Sequence, residues 1–273
     1  MSYEFSLAHL TVLQCSPPEM VEIASQAGYT YVSFRLTAVT SDEKTSSLIQ
    51  NRVLMKETKS RLADTGIQVY DIELAKLDPE TEPETYLRFL EAGAELGARS
   101  VITQLPDPNR QRATERFARL SDLAKPFGLT VDLEFPWWTE TPDLHAAVTV
   151  LEAVNKPNAG ILIDTLHFER SHSSLEELKT LPREWFHFVH LCDAPKAHEK
   201  TQEEKTHTAR AGRLFPGEGD IDLKEILNSI PNVPYSLEIP NEDLLKKLGP
   251  QEFASRALQA AKQYLKKLAL GSE

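Results

Sequence analysis

Cysteine is nearly absent: the chain has only Cys15 and Cys192, far apart and with no CxxC pairing. That excludes a disulfide framework and a cysteine zinc site, leaving two ordinary reduced thiols. No run approaches the roughly 18 apolar residues that a membrane span needs. The opening Met1-Ser2-Tyr3-Glu4-Phe5 lacks the basic-then-apolar order of a secretory leader, so a cytoplasmic protein with no membrane partner is expected. Positive charge is also short, with Lys+Arg 30 against Asp+Glu 41 and a net charge of −11. Such a surface repels polyanions, and the small basic clusters Lys246-Lys247 and Lys266-Lys267 read as solvated helix faces, so no nucleic-acid partner is expected. Gly-rich phosphate loops are missing: the first candidate strand runs into Thr11-Val12-Leu13-Gln14-Cys15-Ser16-Pro17, with neither GxGxxG nor a Walker A motif.

What remains is a globular chain of 273 residues, 41% hydrophobic and 26% charged, with 11 Gly and 17 Pro. Short apolar runs alternate with helical spacing along its length. Strands are expected at Phe5–Leu10, Tyr31–Leu36, Gln68–Leu74, Ser100–Leu105, Thr130–Phe135, Gly160–Asp164, Phe188–Cys192 and Tyr235–Ile239. Helices are expected at Pro17–Ala27, Ser47–Asp64, Pro83–Leu96, Arg110–Pro126, Pro142–Val154, Leu175–Leu181, Leu223–Ser229 and Pro250–Leu268. Prolines open several of these segments, where no backbone donor is needed. Gly28, Gly66, Gly97 and Gly128 follow helical runs, where a left-handed cap favours glycine. Eight such units without a long linker predict an α/β chain folded as one (β/α)8 TIM barrel over residues 1–273, with a doubly wound open sheet as the alternative.

Catalytic groups in such a barrel come from the C-terminal ends of the strands. Glu134 and Asp164 close apolar runs of the fifth and sixth candidate strands, His190 and Glu238 lie near the ends of the seventh and eighth, and all four would converge on one mouth. Three crowded carboxylates repel unless a cation sits among them. One imidazole with oxygen ligands favours a hard or borderline divalent ion, Mn²⁺ or Mg²⁺ first, with Co²⁺ or Zn²⁺ as substitutes. The competing interpretation of each residue alone is a buried hydrogen-bonded group. His167 points back at the pocket if the chain turns after Asp164. His9, Arg35, Glu73, Lys76 and Gln104 lie at other strand ends. Trp137 and Trp138 follow Glu134-Phe135-Pro136, where an indole either stacks on a sugar face or anchors a loop.

The runs Asp164-Thr165-Leu166-His167-Phe168, His190-Leu191-Cys192-Asp193, Pro216-Gly217-Glu218-Gly219-Asp220 and Leu237-Glu238-Ile239-Pro240-Asn241 resemble the xylose-isomerase-like barrel superfamily. Within it the sequence is most similar to the sugar phosphate isomerase/epimerase group, related to AP endonuclease family 2. The resemblance implies one divalent metal held by Glu134, Asp164, His190 and Glu238, with His167 beside the substrate. It further implies that Glu134 and Glu238 face each other across a sugar carbon, one taking a proton and the other returning it, through a metal-stabilised enediolate. The family's epimerases place an arginine soon after the seventh-strand histidine. Here Ala194-Pro195-Lys196-Ala197-His198 and a polar insert intervene, so Arg210 and Arg213 are the candidates to grip substrate. The insert Lys196–Arg213 reads as a mobile, solvated loop over the mouth.

The function these residues imply is a metal-dependent isomerase or epimerase of a sugar or polyol ketone, in carbohydrate metabolism, with a small-molecule substrate. The alternative is a dehydratase of a cyclic polyol ketone such as an inosose or 3-dehydroshikimate, which needs an added proton donor from Glu73, His9 or His167. A non-catalytic sugar-binding barrel would be favoured if a ligand were missing, and none is. Endonuclease IV, from the same superfamily, carries further histidines that this chain lacks at Arg35, Gln104 and Asp220. Composition leaves a homo-oligomer open.

Overall fold

The computed structural model describes residues 3–39 and 48–270. Its strands are β1 (Phe5–Leu7), β2 (Tyr31–Arg35), β3 (Gln68–Lys76), β4 (Ser100–Gln104), β5 (Thr130–Leu133), β6 (Ala159–Asp164), β7 (Phe186–Leu191) and β8 (Tyr235–Leu237). They pair in parallel and in chain order into a closed barrel. Closure comes from β8 against β1, with Phe5 opposite Tyr235 and Leu7 opposite Leu237, which rules out the open doubly wound sheet. Around the barrel run α1 (Pro17–Ala27), α2 (Arg52–Thr65), α3 (Leu87–Leu96), α4 (Arg110–Ala124), α5 (Leu144–Val154), α6 (Thr165–Arg170), α7 (Leu175–Thr180), α8 (Gln202–Ala211), α9 (Leu223–Asn228), α10 (Glu242–Leu248) and α11 (Pro250–Leu270). Among the described residues no helix is long and apolar enough to cross a membrane.

Local chemistry explains the boundaries. Ser16 and Glu19 form a reciprocal cap at the start of α1, and Gly28, at φ +90°, ends it by donating its N–H to Ala24 O and Ser25 O. The first strand is shorter than expected because residues 9–12 curl into a 3₁₀ turn. That turn is held over β8 by the Thr11 hydroxyl, which donates to Leu237 O at 2.8 Å and accepts from Ile239 N at 2.8 Å. The second helix begins at Arg52, capped by the Asn51 side chain, and the expected start at Ser47 falls outside the described residues.

Two apolar assemblies result. The larger lies between strands and helices, where Phe34, Leu90, Phe117, Phe135 and Phe253 are buried. The smaller, Tyr31, Tyr70, Leu74, Ile102, Leu162 and Phe188, comes from strand residues alone and fills the barrel interior. With the interior plugged, the strand-end side chains stand on a solid floor at one mouth.

Candidate metal centre

The barrel brings Glu134, Asp164, His190 and Glu238 together, all buried, with one ligand atom from each lying within 4.8 Å of the others. His190 Nδ1 is 3.7 Å from Glu134 Oε1, 3.7 Å from Asp164 Oδ2 and 3.5 Å from Glu238 Oε2. These distances are too long for good hydrogen bonds, and they leave room for a shared cation at about 2.0–2.3 Å from each donor. Neither ring nitrogen of His190 has a hydrogen-bond partner although the residue is buried. An orphaned imidazole among three carboxylates is the donor chemistry of a divalent-ion site, so these residues fit such an ion.

Register explains the convergence. Asp164 is opposite His190, and His190 is opposite Ser236, so Glu238 stands one inward position above that level. Glu134 and Glu238 lie one residue beyond β5 and β8, where the backbone opens into the loops. Gln104 Nε2 donates to Glu134 Oε2 at 2.5 Å and sets that carboxylate's orientation.

Arg213 is the arginine of the centre. It is buried, with Nη1 at 2.6 Å from Asp164 Oδ2 and Nη2 at 2.9 Å from Glu238 Oε2, while its Nε donates to Ala209 O. Three carboxylates against one guanidinium, with His190 in the neutral form that a metal ligand requires, leave two negative charges, which one divalent cation would neutralise. Burial opposes ionisation of Glu238, but the positive charge of His190 and Arg213 outweighs it and holds its pKa at about 2. Burial likewise opposes charge on Asp164, and Arg213 overrides it, holding that carboxyl well below its ordinary range. At His190 burial disfavours the imidazolium, yet the Glu238 charge raises its pKa well above normal.

Above the centre is a cavity of about 280 Å³, just below the ~300–1,000 Å³ typical of small-molecule sites. It suits one monosaccharide-sized ligand. Glu134, Glu238, His167, Arg35, Glu73, Arg210 and Arg213 all line it. Burial lowers the pKa of His167 against the opposing pull of Asp164, so its ring is neutral at neutral pH. Its Nδ1 lacks a partner and its Nε2 is 3.9 Å from Glu134 Oε1. Arg35 and Glu73 are paired at 3.0 Å. Burial nevertheless raises the pKa of Glu73 despite Arg35, and Glu73 Oε1 has no partner.

Three expectations change. His9 is turned into the fold: its Nδ1 accepts from Arg35 N at 3.0 Å, its Nε2 faces Cys15 O at 3.2 Å, and it is not among the residues lining the cavity. Trp137 is buried beneath the mouth, and Trp138 takes the lining position; both rings are 5.1 Å from that of His167, which they hold in place. The insert expected as a mobile loop contains the ten-residue helix α8, with a reciprocal cap between Thr201 and Glu204. Arg170 on α6 pairs with Glu199 at 3.0 Å and ties this insert down.

Asp71 went unnoticed in the sequence. It is buried on β3 two residues before Glu73, accepts from Ser33 Oγ at 2.6 Å, and has its pKa pushed up to about 8 by burial. The period of two along a strand, extended downward from Glu73, would have found it.

The chain matches the family model described as xylose isomerase-like TIM barrel over residues 21–268. It is 26% identical over 159 residues to inosose isomerase of Bacillus subtilis strain 168, an alignment covering 56% of this chain and 54% of that protein. The chain thus spans about half the length of the curated relatives it matches. Its fold is shared with the IOLI protein solved with a binding zinc atom, at TM-score 0.76 and 21% identity, covering 97% of each chain. It is shared also with a xylose isomerase-like TIM barrel/4-hydroxyphenylpyruvate dioxygenase fusion protein, at TM-score 0.81 and 19% identity, over 100% of this chain and 45% of that one. This chain belongs to the xylose isomerase-like TIM barrel family.

Proposed function

We propose that this xylose isomerase-like barrel is a divalent-metal-dependent isomerase or epimerase of a sugar or polyol ketone, with Mn²⁺ or Mg²⁺ as its ion. The observation that carries the reading is the Glu134, Asp164, His190 and Glu238 cluster at the floor of a monosaccharide-sized polar cavity. The similarity to inosose isomerases supports the same substrate class.

When bound by these four residues, the ion supplies a Lewis acid that favours negative charge on substrate oxygens beside the reacting carbon. Glu238, with its low pKa, is ionised and able to accept a proton from the carbon next to a carbonyl. Glu134, oriented by Gln104, is the second carboxylate, able to hold that proton or return one to the carbon. Neutral His167, braced by the two indoles, offers a hydrogen bond to a substrate hydroxyl. Arg213 keeps the ligand carboxylates from repelling one another and adds a fixed positive charge where negative charge develops. Trp138 supplies an apolar face for ring C–H groups, and α8, through Ala209, helps to close the cavity from water.

Glu73 favours dehydration as the second reading. It lines the cavity, and burial pushes its pKa up despite the Arg35 charge, the direction that a proton donor to a leaving hydroxyl requires. Proton exchange in D₂O, followed by NMR over ketohexoses, inososes and dehydroshikimate, tests both. Metal-dependent exchange at the carbon beside the carbonyl, abolished by Glu238→Gln, is expected. Loss of water from substrate, abolished by Glu73→Gln, would select the dehydratase. No exchange and no elimination with any of them in the Mn²⁺-loaded protein would defeat both readings.

A further inference from the structure

We propose that Asn241 is a positioning residue for Arg213: by holding the Arg213 backbone it keeps the guanidinium on Asp164 and Glu238, and so sets how tightly the centre holds its divalent ion. This rests on the metal-dependent reading above and deepens it to a residue outside the ligand set.

Asn241 stands three residues after Glu238, at the start of α10, and uses both ends of its side-chain amide. Its Oδ1 accepts from Leu244 N at 3.0 Å and caps that helix, while its Nδ2 donates to Arg213 O at 2.9 Å. Both tasks on one short stem need an acceptor and a donor together, which asparagine has and an ionised aspartate lacks. The same loop supplies a second bond, with Arg213 N donating to Pro240 O at 3.2 Å. On the other side of Arg213, Leu214 N donates to Asp193 O at 2.8 Å and Asp193 N to Leu214 O at 3.0 Å. The buried Asp193 carboxylate then holds the turn that follows, accepting from Gly217 N at 2.9 Å and from Ile221 N at 3.1 Å. A Cβ at Gly219 would come within 2.3 Å of Asp193 Oδ1 and of Ala194 O, so this approach requires glycine there. Arg213 is thus strung between the segments that follow β7 and β8.

The placement matters because of which oxygens the guanidinium meets. Asp164 Oδ2 and Glu238 Oε2, at 2.6 and 2.9 Å from Arg213, are the same two oxygens that face His190 Nδ1. Guanidinium and divalent ion therefore share one pool of negative charge, and the hold of the first on it weakens as its distances lengthen. The Arg213 side chain is otherwise fixed from α8, through its Nε on Ala209 O, so the Asn241 bond is what fastens the same residue to the β8 side. Loosening that bond leaves Asp164 and Glu238 less neutralised, and their carboxylates then attract a divalent ion more strongly.

Asn241→Ser keeps a capping oxygen for α10 and, with its shorter side chain, gives up the bond to Arg213. Mn²⁺ affinity by titration and the urea midpoint in chelator are measured on the full chain as wild type, Asn241→Ser, Arg213→Gln and the double variant. Asn241→Ser is expected to bind Mn²⁺ several-fold tighter than the wild type, and to change nothing when added to Arg213→Gln, because the guanidinium through which it acts is gone. A general loosening of the fold would move the affinity equally in both backgrounds. Unchanged or weaker Mn²⁺ binding in Asn241→Ser, or the same shift in both backgrounds, overturns the proposal. Should the wild type hold no Mn²⁺, the metal reading fails by itself and the urea midpoints decide the positioning role. Arg213→Gln is then expected to lower the midpoint less in the Asn241→Ser background than in the wild type, and equal drops would overturn that role.

Discussion

Asp164 uses its two oxygens for different tasks, and His167 depends on one of them. Oδ1 accepts from Leu166 N at 2.8 Å and His167 N at 3.1 Å, capping the helix that carries His167, while Oδ2 faces His190 and Arg213. The ligand set and the substrate-facing histidine are therefore built from one carboxylate. Asp164→Asn keeps an oxygen for the cap and loses the charge, whereas Asp164→Ala loses both. We expect Asp164→Asn and His190→Ala each to lose stoichiometric Mn²⁺ by elemental analysis and titration. Asp164→Ala should in addition be less stable than Asp164→Asn by about 1 kcal/mol in urea, the typical worth of a cap. Full Mn²⁺ retention in both Asp164→Asn and His190→Ala would mean that the cluster is structural.

Arg213 makes a second, opposite prediction about stability. Removing one partner of a buried ion pair leaves the remaining charges uncompensated and costs about 3–5 kcal/mol. Arg213→Gln in chelator should be destabilised by about that much in urea. Saturating Mn²⁺ should then recover more stability in the variant than in the wild type, because the ion meets three carboxylates without a competing guanidinium. Equal metal-induced shifts in the two proteins would show that Arg213 and the ion do not share the cluster's charge.

Asp71 carries a pH prediction. Burial pushes its carboxyl up to about 8 in the folded state, against about 3.9 for an ordinary aspartate, so between those limits the native state binds the proton that the unfolded state has released. Its contribution to stability is fully present below the unfolded value and is lost as pH rises through the folded one. Asp71→Asn keeps a neutral group able to accept from Ser33 and removes that loss. The variant should match the wild type near pH 4 and gain on it progressively toward pH 9, measured as the difference between urea midpoints. A constant difference across that range would sink the assignment.

The barrel and its four-residue centre were legible because both depend on period and order: apolar runs ending in Glu134, Asp164, His190 and Glu238 put those side chains at one mouth whatever the loops do. What was lost involved the tertiary neighbours of single residues. His9 sits near a strand end like the others, but the Thr11 contact to β8 curls the chain there and turns the ring inward. Trp137 and Trp138 are adjacent, so no periodicity says which one faces the cavity. Arg213 could not be told from Arg210 without knowing that α8 ends at Ala211, leaving Arg210 in its last turn and Arg213 beyond it, turned into the centre. Yet Thr201-Gln202-Glu203-Glu204 is a helix-start signature in plain view, and a reading of the insert by its caps would have found that helix.

That helix supplies the last prediction. Glu199, its side chain nearly inaccessible, ties the insert to Arg170 one turn beyond His167, and lies just ahead of the α8 cap. Burial works against its charge, but backbone donors and the Thr208 and Arg170 side chains hold its pKa at about 2. Because the folded value is depressed, the contribution is present above the unfolded pKa and is lost only as pH falls toward 2, so the tie is intact at neutral pH. Glu199→Gln removes the charge and keeps the size. Limited trypsin digestion at pH 7 should then cut after Lys200 or Lys205 several-fold faster than in the wild type, because cleavage at these surface lysines needs the backbone around them to unfold locally, which the tie opposes. The urea midpoint should fall as well, because buried Arg170 is left with Glu169 as its one remaining carboxylate partner among the described residues. Equal digestion rates with an unchanged urea midpoint would mean that the Arg170 contact does not hold the insert down, leaving the Thr201–Glu204 cap and the buried Arg213 as what anchors it.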